Sequence, residues 1–427
     1  MSVPAQKSGA GTVTVFSLSN GLRVVHCPNT TTQMVALNVM YNTGARDEDP
    51  GKTGLAHLFE HVMFGGSANV PDFDAVLTAA GGENNAFTGN DFTTYYSTAP
   101  AHNAETVFYV ESDRMLSPLL SQATLDVQRN VVIEEFRQQY LNRPYGDVMH
   151  RLRSLLYPPG HPYSWPVIGK NIEQIRAITR DDLTGWFRRN YAPGNAVLAI
   201  TGNITLERAR QLAEKWFAPI PARPVPQRQV SIVTPPPEAQ TVELRGNVPG
   251  STVTAAYLMD PYGTRGYLAA DAVTDLLSAG NAARMYRSLI VGGDGSLSDA
   301  EAMISGSEHQ GMLMLTARMA TEDADPRRAL QLMVDQGRRI ARDGVTDREM
   351  QRLRNRRFSM EAAEKMDYIA QGQRLAAAVM HGEEPDAMTA RYNMLKADDL
   401  VECARAIFVA GHPAAVIYRP GQGRQNT

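Results

Sequence analysis

The chain has 427 residues, 43% of them hydrophobic and 20% charged, which is the composition of a soluble globular protein with more than one core. Its net charge of −3, with both signs interspersed, gives no electrostatic case for binding nucleic acid or an anionic membrane. The chain has two cysteines, Cys27 and Cys403, and their wide separation excludes a disulfide framework and a thiolate zinc site. The sequence contains no run of about 18 apolar residues, so no membrane-spanning helix is predicted.

The N-terminal segment bears on the compartment. Residues 1–7 lack the apolar core of a signal peptide, so we expect a soluble protein that is either cytoplasmic or periplasmic with its signal peptide removed. Alternating apolar residues then predict strands over residues 12–25 and 35–41. These strands lead into the most informative segment of the chain.

The segment Gly54–Phe64 predicts a helix that carries a metal-binding pattern. His57 and His61 are four positions apart, so their imidazoles lie on one face and can bind a single metal ion together. Glu60 projects toward the same side, within reach of a water on that metal. This H-x-x-E-H order is an inverted signature of zinc peptidases. Satisfied core or surface residues are the alternative, but burying three such groups without a partner would cost several kcal/mol.

A catalytic zinc site usually has three protein ligands, so the two histidines leave one ligand to be found. A helical pattern over residues 123–140 contains the best candidates, Glu134 and Glu135. Their side chains point about 100° apart, so only one of them can face the metal. Taken alone, an acidic pair on a helix is more often a solvated face, and the residues themselves leave the choice open.

A proline-rich segment divides the chain nearly in half. Residues 219–238 contain seven prolines, which cannot belong to a helix or a central strand and predict an extended linker. The halves look like copies, because a D-D-L helix start followed by a turn into a strand occurs over 181–200 and again over 398–417. We therefore predict domains at 1–218, which binds zinc, and 239–427, which is homologous and carries no metal.

Each half also has the same order of elements. The second half begins with strand patterns over 240–244 and 251–258, and long helical patterns follow in both halves, over 206–217, 327–342 and 347–370. Strands, then helices, then a returning strand is an α+β arrangement. We predict two duplicated halves, each an antiparallel-type sheet with helices packed on one face.

Further motifs accompany the histidine pair: Asn42-Thr43-Gly44-Ala45-Arg46-Asp47-Glu48, Phe64-Gly65-Gly66-Ser67, Gly81-Gly82-Glu83-Asn84-Asn85-Ala86-Phe87-Thr88, His161-Pro162-Tyr163, Gly169 and Tyr191-Ala192-Pro193-Gly194-Asn195. Together they resemble the pitrilysin/insulinase family of inverted zinc metallopeptidases. Within that family the chain resembles the bacterial two-domain subunits, which are similar to the mitochondrial processing peptidase beta subunit. The resemblance covers the first half densely and the second half only through its layout.

The resemblance implies the composition of the metal site. One Zn²⁺ per chain is expected, with His57, His61 and Glu135 as ligands and Glu60 as the general base that acts on a zinc-activated water. Family members often carry a supporting Glu seven residues before the third ligand. Gln128 occupies that position here, so a neutral amide replaces the negative charge of the supporting Glu.

The resemblance also implies a substrate-binding edge. The segment Asn85-Ala86-Phe87, followed by Thr88, would form an exposed strand that pairs with an extended peptide substrate. Backbone pairing explains how such enzymes accept many peptide sequences. An ordinary buried strand is the alternative interpretation, and without the resemblance it is the favoured one.

One part of the family site is not evident in the second half. Family enzymes place an Arg and a Tyr seven residues apart, following an S-R-L-x-x-x-L pattern. With Arg284 and Leu289 keeping the frame, Ile290 falls at the Arg position and Leu297 or Ser298 at the Tyr position. Both polar groups are then missing, unless the frame is displaced toward the neighbouring Tyr286 and Arg287.

These observations predict a zinc-dependent endopeptidase subunit that hydrolyses peptides or unfolded polypeptide segments. We expect a paralogous partner with the Arg and Tyr to complete the site in a heterodimer, a homodimer being the alternative assembly. A non-catalytic scaffold subunit of the same family is the alternative function, although such relatives generally have damaged H-x-x-E-H motifs. A metal-dependent hydrolase of non-peptide substrates is disfavoured by the predicted strand edge.

Overall fold

The structure, a computed structural model, describes residues 6–8 and 11–421. By contact, the chain groups into two compact units, each built from three segments. The first unit holds the described residues up to Glu135, then Pro166–Gln229 and Ser359–Ala387, and the second holds Phe136–Trp165, Val230–Phe358 and the described residues from Met388. The prediction about a signal peptide concerns residues 1–7, and of these residues 1–5 lie outside the described part of the chain.

Each unit contains one β-sheet. The strands of the first unit are β1 (Gln6–Ser8), β2 (Gly11–Ser17), β3 (Arg23–Pro28), β4 (Met34–Tyr41), β5 (Glu83–Thr88), β6 (Thr93–Pro100) and β7 (Ala196–Gly202). Those of the second unit are β8 (Gln240–Gly246), β9 (Thr252–Met259), β10 (Leu297–Ser305), β11 (Gly311–Met319) and β12 (Ala414–Pro420). The spatial orders are β1-β2-β3-β7-β4-β6-β5 and β10-β11-β9-β12-β8.

The two sheets repeat one topology. In the first sheet β7 pairs parallel with β3 and antiparallel with β4, and β4 and β5 both pair antiparallel with β6. In the second sheet β12 pairs parallel with β8 and antiparallel with β9, and β9 and β10 both pair antiparallel with β11. Five strands correspond, β3-β7-β4-β6-β5 with β8-β12-β9-β11-β10, and β1 and β2 extend the first sheet beyond the repeat. The predicted duplication and the α+β class are therefore confirmed. Among the described strands, each sheet has a single parallel pair in an otherwise antiparallel arrangement.

The helices fall between the strands in the same manner. They are α1 (Leu55–Val62), α2 (Phe73–Ala79), α3 (Ala104–Leu116), α4 (Gln122–Phe136), α5 (Val148–Leu156), α6 (Ile172–Ala177), α7 (Arg180–Asn190), α8 (Leu206–Trp216), α9 (Arg265–Ser278), α10 (Pro326–Asp343), α11 (Asp347–Met366), α12 (Tyr368–Met380), α13 (Ala387–Asn393) and α14 (Ala397–Ala404). The predicted helix over 347–370 is interrupted at Asp367, because its carboxylate accepts hydrogen bonds from the first amides of α12 and starts a new helix.

In the first unit the central strands are covered on both faces. Every residue of β7 is buried. One face packs against α12, where Leu375, Ala376 and Val379 join residues of β3, β4 and β7 in one apolar cluster. Since side chains alternate along a strand, the remaining residues of β7 point to the opposite face, where α3 and α8 contact the sheet. The helix α12 therefore comes from beyond the proline-rich segment and completes the core of the first sheet.

The second unit is built in the same way. One face of its sheet packs against α9, α10 and α14 in a large apolar cluster. The other face packs against α5, whose Leu152 and Leu156 contact a cluster that includes Met314 of β11 and Val416 of β12. The helix α5 precedes the proline-rich segment in the chain. Each sheet thus receives one helix from the other half of the sequence.

The proline-rich segment has the predicted extended character. Residues 221–236 contain no helix or strand. The domain boundaries 1–218 and 239–427 stay a prediction. They divide the chain into two continuous halves, whereas each of the two compact units combines segments from both halves.

Two exclusions made from composition can be compared with the structure. Neither Cys27 nor Cys403 forms a disulfide bond. Among the described residues, no helix combines the length and the apolar character needed to cross a lipid bilayer.

Candidate metal centre

The helix α1 carries the two histidines, and its start is unusually well anchored. Gly54 precedes the helix with φ of 89°, and a Cβ there would lie 2.6 Å from the Ile168 carbonyl oxygen, so glycine is required. The carboxylate of Glu48 accepts hydrogen bonds from the amides of Gly54 (3.1 Å) and Ala56 (2.8 Å). This buried carboxylate satisfies two amides at the helix N-terminus and complements its dipole. The role of Glu48 was not predicted from the sequence, although this residue ends the motif over residues 42–48.

The predicted ligands converge in space. Nε2 of His57 lies 3.7 Å from Glu135 Oε2, and Nε2 of His61 lies 3.5 Å from the same oxygen. One ligand atom from each of the three residues lies within 4.8 Å of the others, and this is the sole such group of three or more among the described residues. Glu135 reaches the histidines from α4. Its neighbour Glu134 is exposed and does not belong to the group.

The donor set fits a zinc ion. Ligand atoms that lie about 2.0–2.2 Å from a tetrahedral zinc are separated from one another by about 3.3–3.6 Å. The two separations from Glu135 Oε2 are close to this range. Two imidazole nitrogens and one carboxylate oxygen are also the ligand types of a catalytic zinc site with an open position.

The electrostatics of the two histidines differ. Burial lowers the pKa of His57 to about 4, assisted by the charge of His61 and opposed by Glu135, so His57 is neutral at pH 7. Burial also acts to lower the pKa of His61, but the hydrogen bond that His61 donates to Glu135, the charges of Glu60 and Glu135 and the hydrogen bond with Gln128 outweigh it, and that pKa is raised. Gln128 therefore contacts His61, and its role in supporting a metal site stays a prediction.

Glu60 lies beside the three donors without belonging to them. It is 8% exposed, and burial raises the pKa of its carboxyl, although the Thr88 hydroxyl and His61 oppose that rise. The Thr88 hydroxyl donates a hydrogen bond to Glu60 Oε2. This contact of Thr88 was not predicted from the sequence. The signal for it was its position as the last residue of the strand predicted to lie at the site.

The segment Asn85-Ala86-Phe87 lies on β5, at one edge of the first sheet. The strand pairs with β6 on one side, and no other described strand pairs with it. The amide of Ala86 donates to the Asn85 side-chain oxygen (2.8 Å), which is a local bond within the strand itself. Phe87 is 40% exposed and its ring packs edge-on against Phe92. The predicted open edge is present, and the role of these residues in substrate binding stays a prediction.

The corresponding stretch of the second unit has different chemistry. Arg284 forms an ion pair with Glu349 (2.8 Å) and donates to the Gly344 carbonyl, so its guanidinium holds the start of α11. Ile290 packs against the apolar core, and Leu297 is buried. Ser298 donates to a backbone carbonyl of β11. Ile290 and Leu297 thus occupy structural positions, and the prediction that the family's Arg and Tyr are missing from this chain stays a prediction.

The chain is similar to known protein families and proteins. A family described as "Insulinase (Peptidase family M16)" matches residues 23–155, and one described as "Peptidase M16 inactive domain" matches residues 177–357. The chain is 31% identical over 204 residues to a protein named "Zinc protease PqqE" from Helicobacter pylori, which covers 47% of this chain and 46% of that protein.

A second relative and one solved structure extend the comparison. The chain is 29% identical over 205 residues to the mitochondrial-processing peptidase subunit beta of Caenorhabditis elegans, covering 48% and 44% of the two chains. The matched stretches thus span about half the length of these relatives. A crystal structure of a protease from Helicobacter pylori superposes with a TM-score of 0.88 at 22% identity, over 96% of this chain and 100% of that one. That likeness concerns the fold.

Proposed function

We propose that this chain, which belongs to the M16 (insulinase) family of peptidases, is the metal-binding subunit of a zinc-dependent endopeptidase. The observation that carries the proposal is the convergence of His57, His61 and Glu135, with the carboxylate of Glu60 beside them. Relatives named zinc proteases support the choice of zinc over other divalent metals.

The residues have distinct tasks in this proposal. His57, His61 and Glu135 would hold the zinc ion. When bound, zinc supplies a Lewis acid for the scissile carbonyl and lowers the pKa of a bound water toward ~7. Glu60 accepts the proton of the attacking water and returns it to the leaving amine. Because the Thr88 hydroxyl occupies Glu60 Oε2, the other carboxylate oxygen, Oε1, is the atom assigned to hold that proton.

The proposed substrate is an extended peptide or an unfolded polypeptide segment. A peptide that adds to β5 as a further strand would run along Asn85, Ala86 and Phe87 and approach Thr88, whose hydroxyl contacts Glu60. The strand edge therefore leads toward the carboxylate assigned as base. Pairing through the backbone makes few demands on the side chains of the substrate.

The proposed assembly includes a second, paralogous chain. A tetrahedral oxyanion needs donors in addition to the metal. Ile290 stands where family members carry the Arg, and Leu297 or Ser298 stands where they carry the Tyr; the Ser298 hydroxyl donates to a backbone carbonyl of β11. A heterodimer with a paralogue that carries both residues would complete the site. A homodimer that uses Tyr286 or Arg287, both exposed, is the competing assembly.

The experiment measures zinc content and cleavage of a fluorogenic peptide by the purified chain, alone and mixed with a paralogue that carries the Arg and the Tyr. We expect one zinc per chain in both samples and efficient cleavage only in the mixture. Loss of a single oxyanion donor costs roughly 10²–10³-fold in turnover, so the isolated chain should be a poor enzyme. The matched control is the mixture prepared with Glu60→Gln, which should bind zinc and cleave the peptide at least ~10²-fold more slowly.

Three other outcomes are informative. Equal cleavage with and without the paralogue would refute the heterodimer and favour the homodimer. Zinc binding without cleavage in any mixture would favour the scaffold subunit. Absence of bound zinc would refute the proposal as a whole.

A further inference from the structure

Arg114 lies on α3, hydrogen-bonds to the C-terminal end of α1, and is one of the largest fully buried side chains among the described residues. The residue is 1% exposed. A buried guanidinium is costly unless a counter-charge and hydrogen-bond acceptors surround it. The counter-charge is Glu111, whose Oε2 lies 3.3 Å from Arg114 Nε and whose other oxygen accepts a hydrogen bond from Ser97.

The guanidinium donates hydrogen bonds to two elements of the proposed site. Its Nη1 donates to the Met63 carbonyl oxygen (3.0 Å) at the C-terminal end of α1. Its Nη2 donates to the side-chain oxygen of Asn84 (3.3 Å) on β5. One buried side chain thus bridges the metal-binding helix and the strand at the open edge of the sheet.

Aromatic rings fix the orientation of this bridge. The guanidinium carbon lies 4.1 Å from the ring centroid of Phe73, 5.0 Å from that of Phe64 and 5.4 Å from that of Tyr95. Phe64 follows α1, Phe73 begins α2 and Tyr95 lies on β6. A planar, forked donor suits this position, whereas a lysine ammonium could not serve Met63 and Asn84 together.

The two attachments of β5 to α1 bracket the proposed substrate segment. At one end, Asn84 is joined to α1 through Arg114, and at the other end Thr88 is joined to it through Glu60. Residues 85–87 lie between these points. We propose that Arg114 is a positioning residue that, through Asn84, holds the β5 edge in register with the metal-binding helix. The inference rests on the proposed function, because register matters only if a peptide pairs with β5.

The test is made on Asn84, because removing Arg114 would leave Glu111 buried without its partner. Asn84→Leu keeps the size of the side chain and removes the acceptor of Arg114. Asn84→Asp keeps that acceptor. Asn84 also donates to Asp74 on α2 (2.7 Å), so Asp74→Ala is the control for loss of that second, exposed contact.

The zinc-loaded chain, mixed with its Arg/Tyr-bearing paralogue, is assayed with two fluorogenic peptides. One is long enough to pair with the six residues of β5, and the other extends little beyond the scissile bond. For Asn84→Leu we expect kcat/KM of the long peptide to fall about 10- to 100-fold, as for a displaced substrate, with zinc content unchanged. The short peptide should be little affected, and Asn84→Asp and Asp74→Ala should behave like the wild type.

Several results would overturn the inference. Wild-type kinetics of Asn84→Leu on the long peptide would do so, and so would an equal loss on both peptides or an equal loss in Asn84→Asp. If the wild-type mixture cleaves neither peptide, the proposed function itself fails and the inference falls with it. The two failures are therefore distinguished by the activity of the wild type.

Discussion

The hydroxyl of Thr88, at the end of the edge strand β5, donates a hydrogen bond to Glu60 Oε2 on α1, the helix that carries His57 and His61. The two residues are 28 positions apart in the chain. This bond joins the carboxylate assigned as general base to the strand assigned to bind substrate. A change in the position of either element is therefore transmitted to the other.

Thr88→Val removes this bond while keeping the shape of the side chain. We expect kcat to fall by about 10- to 100-fold, because a hydrogen bond to a charged group contributes about 1.5–3 kcal/mol. Zinc content should not change, since Thr88 lies outside the group of ligands. Steady-state kinetics and metal analysis test this, with Thr88→Ser as the control that retains the hydroxyl. Unchanged kcat in Thr88→Val would show that the bond does not orient Glu60.

Glu60→Gln separates the base from the metal ligands. Because Glu60 is not among the three donors, this variant should retain its zinc and still bind peptide. Turnover should fall at least ~10²-fold, as is typical for loss of a general base. Peptide binding is followed by fluorescence anisotropy and cleavage by a quenched substrate. Cleavage at the wild-type rate would contradict the assigned role.

Glu135→Gln tests the choice between two adjacent carboxylates. Glu135 lies 3.5 Å from His61 and 3.7 Å from His57, whereas Glu134 is exposed. We expect Glu135→Gln to lose most of the zinc while its circular dichroism spectrum is unchanged. Glu134→Gln, the matched control, should keep the metal. Full zinc occupancy in the first variant and loss in the second would reverse the assignment.

Asp271 of α9 predicts a pH dependence of stability in the second unit. Burial, together with the nearby charge of Asp275, raises the pKa of Asp271 to about 6, against opposing effects of Arg357 and Arg356. The folded state thus binds this proton more tightly than the unfolded state, whose pKa is near the ordinary 3.8. Stability is therefore lost as the pH rises from about 4 to about 6 and stays lower above that range.

Asp271→Asn removes this effect. We expect the variant to be more stable than the wild type at pH 8, by about 1–3 kcal/mol, and to lose this advantage below pH 4. Thermal unfolding at a series of pH values measures the difference. Asp323→Asn, a change at an exposed position of the same unit, is the control and should leave the profile unchanged. A variant less stable than the wild type at pH 8 would contradict the prediction.

Much of the site could be predicted because its central part is local. The spacing of His57, Glu60 and His61 places them on one helix face for any sequence that forms α1, since helix geometry alone sets the relation between positions i, i+3 and i+4. The repeated order of strands and helices likewise predicted a duplicated α+β fold. The choice of Glu135 required the resemblance to a family, because two adjacent carboxylates on a helix cannot be distinguished by periodicity.

The tertiary structure decided the relations between distant segments. Thr88 reaches Glu60, and Arg114 reaches Met63 and Asn84, because α1, α3 and β5 pack together around the edge of one sheet. The exchange of α12 and α5 between the halves was equally invisible in the sequence, since an apolar helix face packs against any complementary sheet face regardless of its order in the chain. The spacing of side chains along one helix follows from backbone geometry. These contacts between distant segments depend instead on which apolar surfaces pack together in the folded protein.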